Sequence, residues 1–94
     1  MEHGFDKSKG FGWTPRAWEE YTDWLQHDRK AVKKISDLIK DIQRNGLLQG
    51  IGEPEKLRYI EGAYSRRINK YDRLTYEVHN DMLVITSCKG HYEA

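Results

Sequence analysis

The apolar residues change their spacing once along this chain, across Gly50-Ile-Gly-Glu-Pro54, and that change dictates the fold class. Before the loop they recur at helical intervals; after it they alternate. Trp18, Tyr21, Trp24 and Leu25 mark one face of a helix over Pro15–His27, with Thr14 as N-cap and Pro15 at the first helical position. Asp28 suits the N-cap of a second helix. Its stripe is Val32, Ile35, Leu38, Ile39 and Ile42, while Lys30, Lys33, Lys34, Asp37 and Asp41 are expected on the outer face. Asn45-Gly46 closes it with residues suited to positive φ. So short a join makes the two helices antiparallel.

Beyond the loop, residues 57–60, 63–69, 73–79 and 82–88 read as strands, joined by Glu61-Gly62, Lys70-Tyr71-Asp72 and Asn80-Asp81. Tight joins force neighbouring strands to run antiparallel. With a short strand at 11–14, the expected class is α+β: strand, two antiparallel helices, then a four-stranded antiparallel meander with the helices on one face. Alternation sends Tyr64, Arg66 and Ile68 one way and Ser65 and Arg67 the other; Leu74, Tyr76 and Val78 likewise oppose Arg73, Thr75 and Glu77. With Leu74 and Val78 towards the helices, Arg73 falls on the open face or its rim.

Ninety-four residues suffice for one domain, and eleven aromatics argue against disorder. No apolar run approaches the roughly 18 residues of a membrane span, and MEHGFDKSKG lacks the apolar core of a signal peptide. A lone cysteine, Cys88, makes no internal disulfide and reads as a small buried strand residue. His3 and His79 have no partner at metal-ligand spacing. These features describe a cytoplasmic protein with no cofactor and no membrane partner. Net charge is only +1, but its distribution is uneven: −3 over residues 1–28, +4 over 29–44 and +4 over 56–73. A localised basic face is the electrostatic footprint of a phosphate-bearing partner, although a solvated charged face gives the same pattern.

Four positions can converge on chemistry: Glu55 in the loop, Arg67 and Arg73 on neighbouring strands, and His91-Tyr92 after the last strand. A base, an acid and arginines suffice to cut RNA without a metal. The substrate's own 2′-OH is the nucleophile, the base takes its proton, the acid protonates the leaving 5′ oxygen, and guanidinium groups hold the phosphorane charge. The plainer alternative pairs Arg67 and Arg73 with Glu77 or Glu61 across strands, leaving Glu55 as a loop carboxylate.

In this order and spacing the chain resembles the YoeB family of bacterial toxins, in the RelE superfamily. The matching pieces are Trp18-Glu-Glu-Tyr21-x-x-Trp24, Val32-Lys-Lys-Ile35, Gly50-Ile-Gly-Glu-Pro-Glu55-x-Leu57, Tyr64-Ser-Arg-Arg-Ile68, Arg73-Leu-x-Tyr76 and Cys88-Lys-x-His-Tyr92. The resemblance implies a RelE-like fold and a ribosome-dependent messenger-RNA endonuclease acting in the ribosomal A site. It implies a YefM-type antitoxin partner, and a homodimer is a further possibility it raises. It places the general base on Glu55, the phosphate-stabilising arginine on Arg73, the general acid on His91 and a catalytic tyrosine on Tyr92. Arg58, Arg66 and Arg67 are expected to bind RNA phosphates. The alternative on the same fold is a non-catalytic toxin or regulatory module, such as a gyrase inhibitor. Residues 11–92 are expected as the toxin domain, 1–10 as a flexible extension and 93–94 as a C-terminal one. Gly90 stands where the family commonly has an aromatic residue.

Overall fold

The computed structural model describes residues 4–90, and both helices sit where the sequence places them. Helix α1 (Pro15–His27) starts where the Thr14 side chain accepts the Ala17 N–H at 3.1 Å. Asp28 ends α1 by donating its N–H to Trp24 O, and it starts α2 (Arg29–Asn45) by accepting the Ala31 N–H at 3.1 Å. One residue thus serves two helix ends and folds the pair into a hairpin. Gly46, with φ 99°, closes α2.

Strands β1 (Phe11–Trp13), β2 (Glu55–Lys56), β3 (Ala63–Arg67), β4 (Arg73–His79) and β5 (Met82–Ser87) form one five-stranded sheet in the order β1-β5-β4-β3-β2. The expected α+β class and antiparallel meander hold. The short N-terminal strand joins the same sheet, parallel to β5, with Gly12 opposite Val84. The first meander strand is displaced: residues 58–60 bend, and the pairing partner of β3 is Glu55–Lys56. Glu55 thereby becomes a strand residue opposite Ser65.

Ile35, Leu38, Ile39 and Ile42 of α2 and Ala17 of α1 pack on Leu74, Tyr76, Leu83 and Ile85. Trp18 and Leu25, expected in the α1 packing face, remain 52% and 49% exposed. Between Thr75 and Tyr76 the β4–β5 register shifts: Tyr76 pairs with Ile85 but Thr75 with Ser87, so Thr86 is an extra residue. This bulge reverses the phase of the strand end. Ser87 joins the open-face residue Thr75, and Cys88 enters the core.

Three expectations are corrected. Asp41, assigned to the outer face of α2, is buried. Arg66, assigned to RNA, is wholly buried on the helix side of β3 and meets Asp41 there. Residues 5–10, assigned to a flexible extension, pack instead: Phe5 is 7% exposed within the core cluster, and the Asp6 N–H donates to Asp81 O at 2.7 Å. A 3-10 turn over Lys7–Lys9, capped by Asp6, leads into β1, and Lys9 Nζ donates to Asn80 O at 2.8 Å.

Candidate active site

Three consecutive residues of β3 divide between the two faces of the sheet. Ser65 and Arg67 point to the open face; Arg66 points inward and spends every guanidinium hydrogen there. Its Nε donates to Tyr76 Oη at 3.0 Å, Nη1 to Asp41 Oδ2 at 2.6 Å and Ile51 O at 3.0 Å, and Nη2 to Gly46 O at 2.8 Å and Gln49 O at 2.6 Å. Asp41 also accepts from Ile51 N and Asn45 Nδ2, and Tyr76 Oη donates to Leu47 O. Burial pushes the Asp41 carboxyl up, but the Arg66 guanidinium and the Ile51 and Asn45 hydrogen bonds outweigh it and hold it below its ordinary value. Burial likewise pushes the Tyr76 hydroxyl up, against the pull of Arg66. Arg66 therefore acts as a template for residues 46–51, the loop that leads to Glu53 and Glu55. Gly50 is needed inside it: at φ 115°, a Cβ there would overlap Asp41 Oδ2.

On the open face Arg73 holds the same loop from the other side. Its Nε donates to Ser65 Oγ at 2.9 Å and its Nη2 to Glu53 O at 2.9 Å, and Nη2 lies 3.4 Å from Glu55 Oε2. Arg73 is directly opposite Arg67 in the β3–β4 register, and Arg67 Nε is 3.5 Å from Glu53 Oε1. Glu55, Ser65, Thr75 and Ser87 form a polar row across β2, β3, β4 and β5 beside these arginines. Thr75 Oγ1 and Ser87 Oγ are buried in that row without hydrogen-bond partners. The Glu55 side chain stays 43% exposed beside a nearly buried Arg73. A half-open carboxylate against a pre-positioned guanidinium can take a proton and bind an anion at one place.

The sequence-based site thus assembles in part. Glu55, Arg67 and Arg73 converge, and the arginines pair with Glu53 and Glu55 rather than with Glu61 or Glu77. Arg58 is exposed on the bend after β2, its Cζ 5.9 Å from the centroid of the exposed Tyr59 ring. Together with Lys56 it borders a 440 Å³ hollow at the sheet edge. Arg66 supports the site from behind and touches nothing on the open face. His91 and Tyr92 lie outside the described residues. The last described residue, Gly90, accepts the Arg73 N–H at 3.0 Å through its carbonyl and donates its own N–H to Asp72 Oδ1 at 2.9 Å. Ser65 and Glu53 are site residues that inspection of the sequence passed over. Ser65 shares a face with Arg67 by alternation, which was signal enough; Glu53 contributes a backbone carbonyl, which no side-chain pattern reveals.

Two antiparallel helices thus cover one face of a five-stranded sheet, and an acid with two arginines stands on the other. A family model described as the YoeB-like toxin of bacterial type II toxin–antitoxin systems matches residues 13–92. The chain is 42% identical to toxin YoeB of Escherichia coli K12 over 81 residues, covering 85% of this chain and 95% of that protein. It superposes on the YoeB dimer from Staphylococcus aureus with a TM-score of 0.82 and 51% identity, over 87% of this chain and 95% of that one. It superposes on the toxin of a heterotetrameric YoeB–YefM complex from the same species with a TM-score of 0.81 and 50% identity, over 88% and 97% of the two chains. This chain belongs to the YoeB-like toxins of type II toxin–antitoxin systems. The match begins at Trp13, so the packed segment around Phe5 precedes the shared region.

Proposed function

We propose that this toxin is a metal-independent endoribonuclease that cuts messenger RNA held in the ribosomal A site. The observation that carries the reading is the Glu55–Arg73 pair, 3.4 Å apart on the open face, with Arg67 alongside. Glu55 removes the 2′-OH proton, and O2′ attacks the adjacent phosphorus. Arg73, assisted by Arg67, holds the charge that builds on the phosphorane oxygens. His91 gives its proton to the departing O5′, and Tyr92 positions the base or the phosphate. The products are a 2′,3′-cyclic phosphate and a 5′-OH. Contact at 3.4 Å is longer than a good charge-assisted hydrogen bond, so a phosphate oxygen can compete for Nη2. Arg58 extends the cationic track beyond β2. The ribosome supplies what the small open face lacks, a strand already held in line for attack.

The partner is a YefM-type antitoxin, and the toxin also forms a homodimer. Support comes from the relatives described above as a dimer and as a heterotetramer with YefM. The half-exposed Trp18 and Leu25 on α1 provide apolar surface for such contacts. The test is cleavage mapping of a defined message in purified translation, with and without ribosomes. Wild type should cut only with ribosomes, leaving 2′,3′-cyclic phosphate ends, and Glu55→Gln and His91→Gln should each lose most of the cutting. Undiminished cutting by both variants refutes the residue roles. No cutting by folded wild type supports the non-catalytic alternative.

A further inference from the structure

The chain leaves β5 under unusual restraint. Glu20 Oε1 accepts two backbone N–H groups, Cys88 at 2.7 Å and Lys89 at 3.2 Å. Trp24 Nε1 donates to Cys88 O at 2.8 Å, and the Cys88 thiol faces Ala17 O at 3.7 Å. Residues 17, 20 and 24 follow each other at i, i+3 and i+7, one ridge of α1. The Lys89 ammonium pairs with Asp23 and sits 5.0 Å from the centroid of the Trp24 ring. Glu20 itself is braced by Arg16, whose Nε is 3.1 Å from Glu20 Oε2. On the far side Gly90 is bonded through both its N–H and its carbonyl, to Asp72 and Arg73. Gly90 adopts φ 88°, which turns the chain beside Arg73. Five of the six backbone polar groups of residues 88–90 are therefore bonded, all to groups outside the segment.

Burial of Cys88 calls for partners to its own backbone groups, but Lys89 is only partly buried and Gly90 is exposed, and both are held as well. The restraint ends one residue before His91, the general acid of the reaction proposed above. A general acid loses about a hundredfold in rate when displaced by about 1 Å, so the anchorage of the preceding residues bears directly on turnover. We propose that α1 aims the catalytic C-terminus: Glu20 and Trp24 are positioning residues for RNA cleavage, acting through the backbone of Cys88 and Lys89. The inference rests on the nuclease reading and adds a control point on the opposite side of β5 from Glu55. It also explains why a glycine is accommodated at position 90, since both backbone groups of that residue are tied to the β3–β4 turn.

The experiment compares wild type, Glu20→Ala, Glu20→Gln, Trp24→Phe and His91→Gln in single-turnover cleavage on programmed ribosomes. Ribosome affinity and urea midpoint are measured alongside. Glutamine keeps an acceptor oxygen for both N–H groups, so Glu20→Gln should cut within about threefold of wild type, whereas Glu20→Ala should cut about ten- to a hundredfold more slowly. Trp24→Phe keeps an aromatic ring but loses the Nε1–H donor to Cys88 O, and should fall between them. Ribosome affinity should be unchanged throughout, and amide exchange at Cys88 and Lys89 should accelerate in Glu20→Ala. Glu20→Ala cutting at the wild-type rate while His91→Gln is inactive overturns the positioning role and leaves the nuclease reading intact. A slow Glu20→Ala that Glu20→Gln fails to rescue also overturns it, because the loss then follows charge and not backbone anchorage. Wild type that cuts nothing overturns both.

Discussion

Replacing Arg66 by methionine removes one side chain of similar length and strips five hydrogen bonds from the interior. Arg66 is wholly buried, and Asp41 is 8% exposed, so water cannot take over freely. Taking away one partner of a buried ion pair costs about 3–5 kcal/mol, because the other charge is left uncompensated. Here the carbonyls of Gly46, Gln49 and Ile51 lose their donor as well, which places the expected loss at the upper end of that range. Typical domain stabilities are about 5–15 kcal/mol, so the variant should sit near the edge of folding at 25 °C. Urea unfolding followed by tryptophan fluorescence reads the loss directly. The double variant Asp41→Leu/Arg66→Met should lose less than the sum of its single changes, since it leaves no orphan charge. The pair also sets an acid limb. Asp41 is held below its ordinary 3.8, so it contributes stability above the unfolded value that disappears as pH falls through the folded one. Asp41→Asn should lack that portion of the limb below about pH 4. An Arg66→Met protein within about 1 kcal/mol of wild type at unchanged urea dependence would falsify the template role.

Phe5→Ala should cost about 3 kcal/mol, the low end for a buried phenylalanine at the margin of a core, and lower the melting temperature by about 12 °C or more. A melting point within about 3 °C of wild type refutes the anchoring role of the Phe5 ring. Ser65→Ala removes the acceptor of Arg73 Nε while leaving the fold intact, and should slow ribosome-dependent cleavage about tenfold; an unchanged rate with unchanged RNA-end chemistry refutes its part in placing Arg73. The Cys88 thiol is pushed up to about 12, first by burial and then by the nearby Glu20 carboxylate. Iodoacetamide at pH 8.5 should therefore leave folded protein unmodified for hours and label it promptly in urea, as mass spectrometry will show.

The helices were legible because their ends are written in adjacent residues: Thr14 before Pro15, one aspartate between two apolar stripes, Asn45-Gly46 at the stop. The strands were legible where alternation ran for five residues or more. What stayed hidden was non-local. Asp41 sits among lysines on a helix surface by spacing, and a guanidinium 25 positions later, with the Ile51 N–H and the Asn45 amide, makes its burial tolerable. Alternation put Arg66 on one face with Tyr64 and Ile68 without saying which way that face turned; residue type argued for RNA, and packing turned it inward. The short β2 strand exists only through pairing with Ser65 and Tyr64, and no property of Glu55-Lys56 announces it. The bulge at Thr86 reversed the end of β5 without any glycine or proline to mark it.

The same division explains how so small a domain holds the Glu55 carboxylate in place. The loop from Gly46 to Glu55 packs Leu47 against the core but leaves Leu48 and Ile51 exposed, so apolar burial offsets little of the entropic cost of closing it. Two arginines fix it instead, one from each face of the sheet. Arg66 binds the carbonyls of Gly46, Gln49 and Ile51 from within, and Arg73 binds the carbonyl of Glu53 from the open side. Between them the Arg67 N–H donates to Gly52 O at 2.6 Å. Glu55 follows immediately as a paired strand residue, so its carboxylate inherits a position set by buried charge on one side and by Arg73 on the other. Arg73 is consequently committed twice, to the loop backbone through Nη2 and to Ser65 through Nε. A lysine there has no planar fork with which to do both. Arg73→Lys should accordingly disturb the placement of Glu55 as well as the binding of phosphate, and its cleavage defect should exceed that of Arg67→Lys, whose side chain pairs with the exposed Glu53 carboxylate. Equal defects in the two variants would show that charge alone matters on this face and that the loop needs no second anchor.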